Sequence, residues 1–166
     1  MRRTAAAVLL SVLLSACGSE PAVPLGIGDP AWPTDAEGWA EVIAAMPDEL
    51  EGLPRQEGGI LATTYGDPKG DDQVRIYPED LGGAECPGLF GVSLLRSTLE
   101  EDGELAIEES SPDGAEDPTY LFGSRPDGTR LAAWTVPDCA WVVVVEAPTV
   151  ALRDAGVEAI VRAASG

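Results

Sequence analysis

The chain has 166 residues, of which 29 are acidic and 10 basic, so its formal net charge is −19, and it contains no histidine. Proteins that read nucleic acid or adhere to anionic headgroups need a basic face, which this composition does not supply. The absence of histidine removes the usual zinc ligand and general base, so we expect no cofactor, metal or histidine-dependent catalytic site. A hydrophobic fraction of 45% suits one folded domain.

The first 17 residues follow the pattern of an export signal. Met1-Arg2-Arg3 is cationic and residues 5–14 carry no charge, as in a secretory signal peptide. That run is shorter than the roughly 20 residues that span a bilayer as a helix. Leu14-Ser15-Ala16-Cys17 then resembles the lipobox of bacterial lipoproteins. The resemblance implies cleavage before Cys17, acylation of its sulfur and a lipid-anchored position on the extracytoplasmic face of the cell membrane. An ordinary cleaved signal that leaves Cys17 free is the alternative.

The segment after the lipobox predicts a tether. Residues 18–33 contain four prolines and show no helical or strand periodicity, which favours a solvated, partly extended chain. We therefore divide the sequence into a signal peptide at residues 1–16, a lipidated cysteine and tether at residues 17–33, and a single domain at residues 34–166.

Two amphipathic helices are predicted at the ends of this domain. Thr34-Asp35-Ala36-Glu37 has the form of a capping box. The apolar residues behind it fall on one helical face, and Pro47 ends the pattern. These residues are Trp39, Val42, Ile43 and Met46. The same spacing returns near the end of the chain at Val157, Ile160, Val161 and Ala164. There Glu158 and Arg162 have the spacing of a favourable i, i+4 pair.

The middle of the chain has the turn residues of an antiparallel sheet. Residues 60–65 and 73–77 are bounded by glycine and proline and predict a hairpin. Residues 89–95 are a third candidate strand, although the leucine spacing also suits a helix. Residues 100–117 hold nine acids and no base, which predicts a solvated segment with a short edge strand at residues 105–108.

The strongest strand pattern lies in residues 119–146. Residues 119–123, 130–136 and 141–146 predict a meander whose first turn, Arg125-Pro126-Asp127-Gly128, suits a type I turn followed by a left-handed glycine. The unbroken apolar run 141–145 predicts a central strand covered on both faces. The predicted fold class is α+β, an antiparallel sheet of five to seven strands with a helix packed on it from each end. This arrangement resembles the Mog1/PsbP-like architecture of some small envelope lipoproteins.

Two cysteines remain after Cys17 is assigned to lipid. Outside the cytoplasm disulfides persist, so we predict a bond between Cys86 and Cys139. It would close a loop of 53 residues, for which loop-closure entropy gives a stabilisation of about 4 kcal/mol. A redox-active pair is the alternative, although the spacing lacks the Cys-x-x-Cys form of such sites.

Four aromatic side chains of the predicted meander should share one face of the sheet, because strand side chains alternate and hairpin pairing fixes the cross-strand neighbours. They are Tyr120, Phe122, Trp134 and Trp141. One interpretation packs this face beneath a terminal helix, with Trp39 contributing from the helix. The other is a partly open pocket for an apolar or sugar-like ligand.

The acidic residues predict no particular chemistry. The turns around Asp67 and Asp113 lack the ligand pattern of a calcium loop. With 29 acids, a carboxylate pair for hydrolysis cannot be selected from sequence. The charge favours either a solvated shell or a surface for a basic partner. The predicted function is a non-catalytic binding or interaction module of the cell envelope. The alternatives are a carboxylate-dependent hydrolase and an accessory subunit of an envelope transporter or enzyme.

Overall fold

The structure, a computed structural model, describes residues 23–56, 58–80, 91–100, 104–112, 118–136 and 141–166. In this part of the chain it is an α+β fold with a six-stranded antiparallel sheet, a two-stranded sheet and three α-helices. The predicted fold class is confirmed. The predicted signal peptide, Cys17, Cys86 and Cys139 lie outside the described residues.

The first element of the described chain is a short 3₁₀ helix at Pro24–Gly26. The α-helices are α1 (Ala36–Ala45), α2 (Gly91–Glu100) and α3 (Val150–Ala164). The first four strands are β1 (Glu49–Leu50), β2 (Leu53–Pro54), β3 (Thr63–Tyr65) and β4 (Val74–Asp80). The last four are β5 (Ala106–Ser110), β6 (Tyr120–Ser124), β7 (Arg130–Thr135) and β8 (Trp141–Ala147).

The main sheet has the strand order β3-β4-β8-β7-β6-β5. Strand β8 therefore lies inside the sheet, and its seven residues are all buried. Val143 and Val145 face the core beneath α1 and α3, whereas Val142 and Val144 face the smaller core beneath α2. This confirms the prediction of a central strand covered on both faces.

The predicted meander is confirmed as β6, β7 and β8, and its first turn has the expected chemistry. The Gly128 N–H donates to the Arg125 carbonyl over 2.9 Å, and Gly128 has φ +95°, in the left-handed region that favours glycine. The Asp127 carboxylate accepts from the Thr129 N–H over 2.8 Å. That backbone hydrogen bond lowers the pKa of the Asp127 carboxyl. The predicted edge strand in the acidic segment is also confirmed, as β5.

Helix α1 begins one residue later than predicted. Asp35, not Thr34, is the N-cap, and its carboxylate accepts from the Gly38 N–H over 2.8 Å. A carboxylate serves this position as well as a hydroxyl does and also complements the helix dipole. The helix ends at Ala45 because Pro47 excludes helical backbone at the residue before it, and Met46 is extended.

Helix α3 contains the apolar residues predicted for the last helix and has a buried glycine near its middle. Its N-cap is Thr149, whose hydroxyl accepts from the Leu152 N–H over 3.2 Å. A Cβ at Gly156 would lie 2.9 Å from Val145 Cγ1, so the missing side chain lets the helix approach β8 closely. Glu158 and Arg162 are both exposed, and their predicted pairing stays a prediction.

Two predictions about the sheet need correction. Residues 91–100 form helix α2 rather than a strand, since Leu95 and Leu99 are four residues apart and both enter the smaller core. Strand β4 does not stop at Pro78 but continues to Asp80. In the part of the chain that the structure describes, β3 pairs with β4 only as far as Ile76. Pro78 is the register partner of Val143, so β4 keeps its pairing with β8 through the proline.

The largest correction concerns the predicted tether. Ile27 is fully buried and Trp32 is 7% exposed, and both belong to the main core. Residues 24–26 form a 3₁₀ helix that packs beside α3, with Val161 Cγ1 at 3.8 Å from the position of a Cβ on Gly26. We name residues 23–33 the docked segment. The solvated tether predicted for these residues is wrong, and the fold begins before Thr34.

Candidate functional site

The four predicted aromatic residues do lie on one face of the sheet. Tyr120 on β6 is the direct cross-strand partner of Trp134 on β7, and Phe122 and Trp141 belong to the same core. All four are buried, the most exposed being Tyr120 at 8%. Trp141 contacts Trp39 of α1, Trp134 contacts Trp32 of the docked segment, and Phe122 contacts Arg153 of α3. The interpretation as packing beneath a helix accounts for these positions.

All four tryptophans of the chain belong to one cluster, which we name the tryptophan cluster. Trp32 stacks on Trp39 with ring centroids 5.6 Å apart and planes 24° apart, and it lies 5.7 Å from Trp134. Trp39 lies 6.0 Å from Trp141. The sequence pattern predicts three of these rings together, whereas it predicts Trp32 in the tether. Its single apolar ring among prolines and glycines gave no periodic signal that could place it in the core.

The four indole N–H groups differ in their partners. Trp32 Nε1 donates to the Ile27 carbonyl over 2.9 Å, within the docked segment, and Trp141 Nε1 donates to the Thr34 carbonyl over 3.3 Å. The Nε1 atoms of Trp39 and Trp134 are buried, and neither has a hydrogen-bond acceptor among the described residues. A buried donor without an acceptor costs about 1–3 kcal/mol, so two such donors in one cluster are unusual.

A groove of about 490 Å³ borders the tryptophan cluster at the surface, between α1 and the end of α3. Trp32 and Pro33 line it from the docked segment, and Ala163 and Ala164 line it from α3. Asp35 and Glu41 are the charged residues of its lining, and both are exposed. The groove thus combines apolar walls with hydrogen-bond acceptors and is of a size that holds small molecules. We name it the α1–α3 groove.

The opposite face of the sheet holds an ion-paired carboxylate. Glu146 on β8 is 7% exposed, with one oxygen 3.1 Å from Arg75 Nη1 and the other 3.3 Å from Arg125 Nη2. Burial, and secondarily the charge of Glu146, raises the pKa of the neighbouring Tyr77 hydroxyl to about 12. Both carboxylate oxygens of Glu146 are committed to arginines, which is the arrangement of a structural ion pair.

A second buried charged residue, Arg153, lies beside Phe122 on the aromatic face of the sheet. The Arg153 guanidinium of α3 lies 4.7 Å from the ring centroid of Phe122, in cation–π contact. It is 2.8 Å from Asp154 and 3.6 Å from Glu108 on β5, which itself pairs with Arg130 at 2.6 Å. These charges balance, so the cluster joins α3 to the sheet edge without leaving an excess charge.

Arginine 55 has a similar structural role beside a second, polar cavity of about 460 Å³. Its guanidinium donates to the Ile43 carbonyl over 2.7 Å and to the Met46 carbonyl over 3.0 Å, both at the end of α1. It also donates to the Thr63 hydroxyl over 3.0 Å. The side chain thereby gives the Met46 carbonyl a donor and the Ile43 carbonyl a second donor beside the Met46 N–H, which lies 3.3 Å from it.

Among the described residues no group of three or more histidine, cysteine or acidic side chains could hold a metal ion. Asp67 accepts from the Lys69 N–H over 2.9 Å, which is the use of aspartate in a turn. Asp35 and Glu41 share a groove but are exposed, whereas the acid of a glycosidase is desolvated. Asp113, Glu116 and Asp117 lie outside the described residues.

The predicted disulfide stays a prediction, because Cys86 and Cys139 lie outside the described residues. The ends of two neighbouring strands are consistent with it. Asp80 is the last residue of β4 and pairs directly with Trp141, the first residue of β8. Cys86 follows Asp80 by six residues, and Cys139 precedes Trp141 by two.

Comparisons with known proteins give no relative. No family model matches the chain, and no curated protein or solved structure matches it. The resemblance to the Mog1/PsbP-like architecture therefore stays a prediction. None of the helices in the described part of the chain has the length and apolar character of a membrane span.

Proposed function

We propose that this protein is a lipid-anchored, extracytoplasmic binding module of the cell envelope. The lipobox-like sequence ending at Cys17 supports the anchor. The observation that carries the binding function is the α1–α3 groove, in which apolar walls beside Trp32 meet the carboxylates of Asp35 and Glu41. Binding sites for small molecules combine these features, and no activity is assigned by the fold itself.

The docked segment sets how far such a module stands from the membrane. Six residues separate Cys17 from Pro24, the first residue of the 3₁₀ helix. An extended chain of this length reaches about 25 Å at most. A free tether up to Pro33 would reach about 55 Å. The proposed module is therefore held close to the bilayer, with the docked segment and the end of α3 on the membrane side.

The anchor is tested by intact-mass measurement of the exported protein and by membrane fractionation. We expect a mass that corresponds to an acylated chain beginning at Cys17, recovered with membranes. Replacing Cys17 with alanine should abolish both the added mass and the membrane recovery. An unacylated wild-type N-terminus would refute the anchor.

The groove is tested with three small probes: glucose, benzyl alcohol and benzoate. The apolar walls and acceptor oxygens favour the first two, and the two carboxylates disfavour the benzoate anion. Ala164→Leu fills the groove and should abolish binding measured by calorimetry. Ala151→Leu, on the exposed side of the same helix, is the matched control and should leave binding unchanged. If Ala164→Leu binds as well as the wild type, the groove is not the site.

A further inference from the structure

The α1–α3 groove has acidic but no basic side chains among the described residues that line it. Its charged residues are Asp35, at the N-cap of α1, and Glu41, further along the same helix. Two arginines belong to neighbouring elements but not to this lining. Arg162 is exposed in the last turn of α3, and Arg55 lines the second, polar cavity. The formal charge of the groove lining is therefore negative.

The two carboxylates keep most of their capacity to accept hydrogen bonds. Asp35 Oδ1 accepts from the Gly38 N–H over 2.8 Å, which is its capping role. Its other oxygen and both oxygens of Glu41 have no donor among the described residues. An ionised carboxylate only accepts hydrogen bonds and has about four lone-pair sites. Three of the four oxygens are thus available to a ligand that brings donors.

The helix ends at the groove do not change the sign of this charge. Helix α1 begins at the groove and α3 ends there, with Ala163 and Ala164 in its last turn. A helix carries a partial positive charge at its N-terminus and an equal negative charge at its C-terminus. These two partial charges offset each other, so the formal charges of Asp35 and Glu41 decide the sign.

We propose that the α1–α3 groove binds an organic cation, in which an ammonium group is joined to an apolar body. The proposal rests on the proposed binding function and names the charge of its ligand. The apolar body would lie against Trp32, Val42 and Ala163, and the ammonium N–H donors would bind the carboxylates of Asp35 and Glu41. A bare metal ion fits less well, because it makes no use of apolar walls and no group of three ligating side chains is present among the described residues.

The exposure of the two carboxylates limits how much the charge contributes. Asp35 and Glu41 are both exposed, so each pairing should strengthen binding only about two- to threefold, and salt should weaken it. The two together give about fivefold. The apolar walls supply the rest of the affinity, so an uncharged ligand of the same shape should still bind, and a cation without an apolar body should not.

The test uses calorimetry on the purified full chain in phosphatidylcholine nanodiscs, with empty nanodiscs as the blank. Three probes separate charge from apolar body: benzylammonium has both, benzyl alcohol lacks the charge, and methylammonium lacks the ring. Asp35→Asn combined with Glu41→Gln removes the charge of the groove, and asparagine is as good an N-cap as aspartate. Asp71→Asn combined with Asp72→Asn removes the same charge from the exposed turn between β3 and β4 and is the matched control.

In about 0.02 M NaCl we expect the wild type to bind benzylammonium about fivefold more tightly than benzyl alcohol, and methylammonium not measurably. The preference should disappear in about 1 M NaCl. The double variant of the groove should bind benzylammonium and benzyl alcohol equally, Glu41→Gln alone should lose about half of the preference on a logarithmic scale, and the control should keep it. Equal binding of the two ring probes to the wild type would overturn the proposal. So would a preference that falls as far in the control as in the groove variant, because the field of the whole chain would then explain it.

The failure of this proposal is distinguishable from that of the proposed function. Binding of benzyl alcohol that Ala164→Leu abolishes establishes the groove as a site whatever the charge of its ligand. Equal affinities for benzylammonium and benzyl alcohol would then refute the cation preference alone. If neither ring probe binds the wild type, the groove and the cation preference are both refuted.

Discussion

At the scale of single residues, Glu146 is a buried carboxylate that pairs with two of the few basic residues of this acidic protein. Its carboxylate is buried between Arg75 and Arg125, and the side chain of Arg125 is only 15% exposed. Glu146→Gln keeps the shape but removes the negative charge that both arginines contact. We expect the free energy of unfolding in urea to fall by about 2–3 kcal/mol, at or below the low end for a broken buried pair, because Arg75 is solvated. Glu158→Gln, at an exposed position, should change it by less than about 0.5 kcal/mol.

Tyrosine 77 predicts how stability depends on alkaline pH. Burial and the Glu146 charge raise its pKa to about 12, and burial also raises the pKa of Tyr65 and of Tyr120. Above about pH 10 the unfolded chain releases these protons before the folded one does, so stability must fall as pH rises towards 12. The chain has one lysine, which contributes little in this range. Urea unfolding at several pH values should show the fall, and Tyr77→Phe should reduce it. A stability that stays constant over this interval would contradict the prediction.

Individual residues were predictable from sequence where a regular element placed them. Alternation along β6 and β7 put Tyr120, Phe122 and Trp134 on one face, as the structure has them. Trp32 was not predictable, because its burial depends on the path of an irregular segment and on a hydrogen bond to the Ile27 carbonyl five residues before it. The α1–α3 groove is therefore lined by the one tryptophan that no pattern could locate.

At the scale of elements, the contact of α3 with the sheet depends on Gly156. An added Cβ would lie 2.9 Å from Val145 Cγ1 and 3.3 Å from the nearest side-chain carbons of Val74 and Ile76. Overpacking costs about 1–3 kcal/mol, and the gain in helix propensity from glycine to alanine is about 1 kcal/mol. We expect Gly156→Ala to lose about 1–2 kcal/mol in urea unfolding. If it gains about 1 kcal/mol instead, propensity outweighs packing. Ala151→Gly, on the exposed side of α3, gives the propensity effect alone.

Elements with a clear period were predictable, and those with competing patterns were not. Helices α1 and α3 have apolar residues at three- and four-residue spacing together with capping residues. Strand β8 has an unbroken apolar run. The sequence of helix α2 was ambiguous, because a short leucine-rich run suits either a strand or a helix. The choice depends on which leucines the core beneath this segment can bury. The prediction that Pro78 ends β4 is wrong, because proline interrupts a strand only where a neighbouring strand requires the N–H that proline lacks.

At the scale of the whole molecule, the net charge of −19 acts on stability through repulsion. Several arginines are held in internal contacts, such as Arg55 at the end of α1 and Arg153 over Phe122, and so do not neutralise the surface. Raising NaCl from about 0.02 to 1 M shortens the screening length to about 3 Å, which weakens the repulsion more than it weakens the buried pairs. We expect the melting temperature to rise by several degrees. NaCl is preferred to sulfate, which strengthens apolar burial regardless of charge. A melting temperature that falls with NaCl would show that ion pairs dominate.

The docked segment gives the last prediction, which concerns where the folded unit begins. A chain that starts at Thr34 lacks Ile27 and Trp32, and the loss of a buried isoleucine or tryptophan side chain costs about 2–5 kcal/mol each. Part of this is offset, because residues 23–33 no longer have to be ordered, so we expect a net loss of about 3–6 kcal/mol. Total stabilities of domains are about 5–15 kcal/mol, so this chain would be close to unfolding.

The matched control for this truncation is a chain that starts at Val23 and keeps the docked segment. Urea unfolding of the two chains separates a structural segment from a passive tether. A tether that only spans the distance to the membrane could be removed without effect, so equal midpoints would contradict the burial of Ile27 and Trp32. A large difference would mean that the segment nearest the proposed lipid anchor also completes the core. Any force or ligand that releases it would then act on the stability of the whole domain.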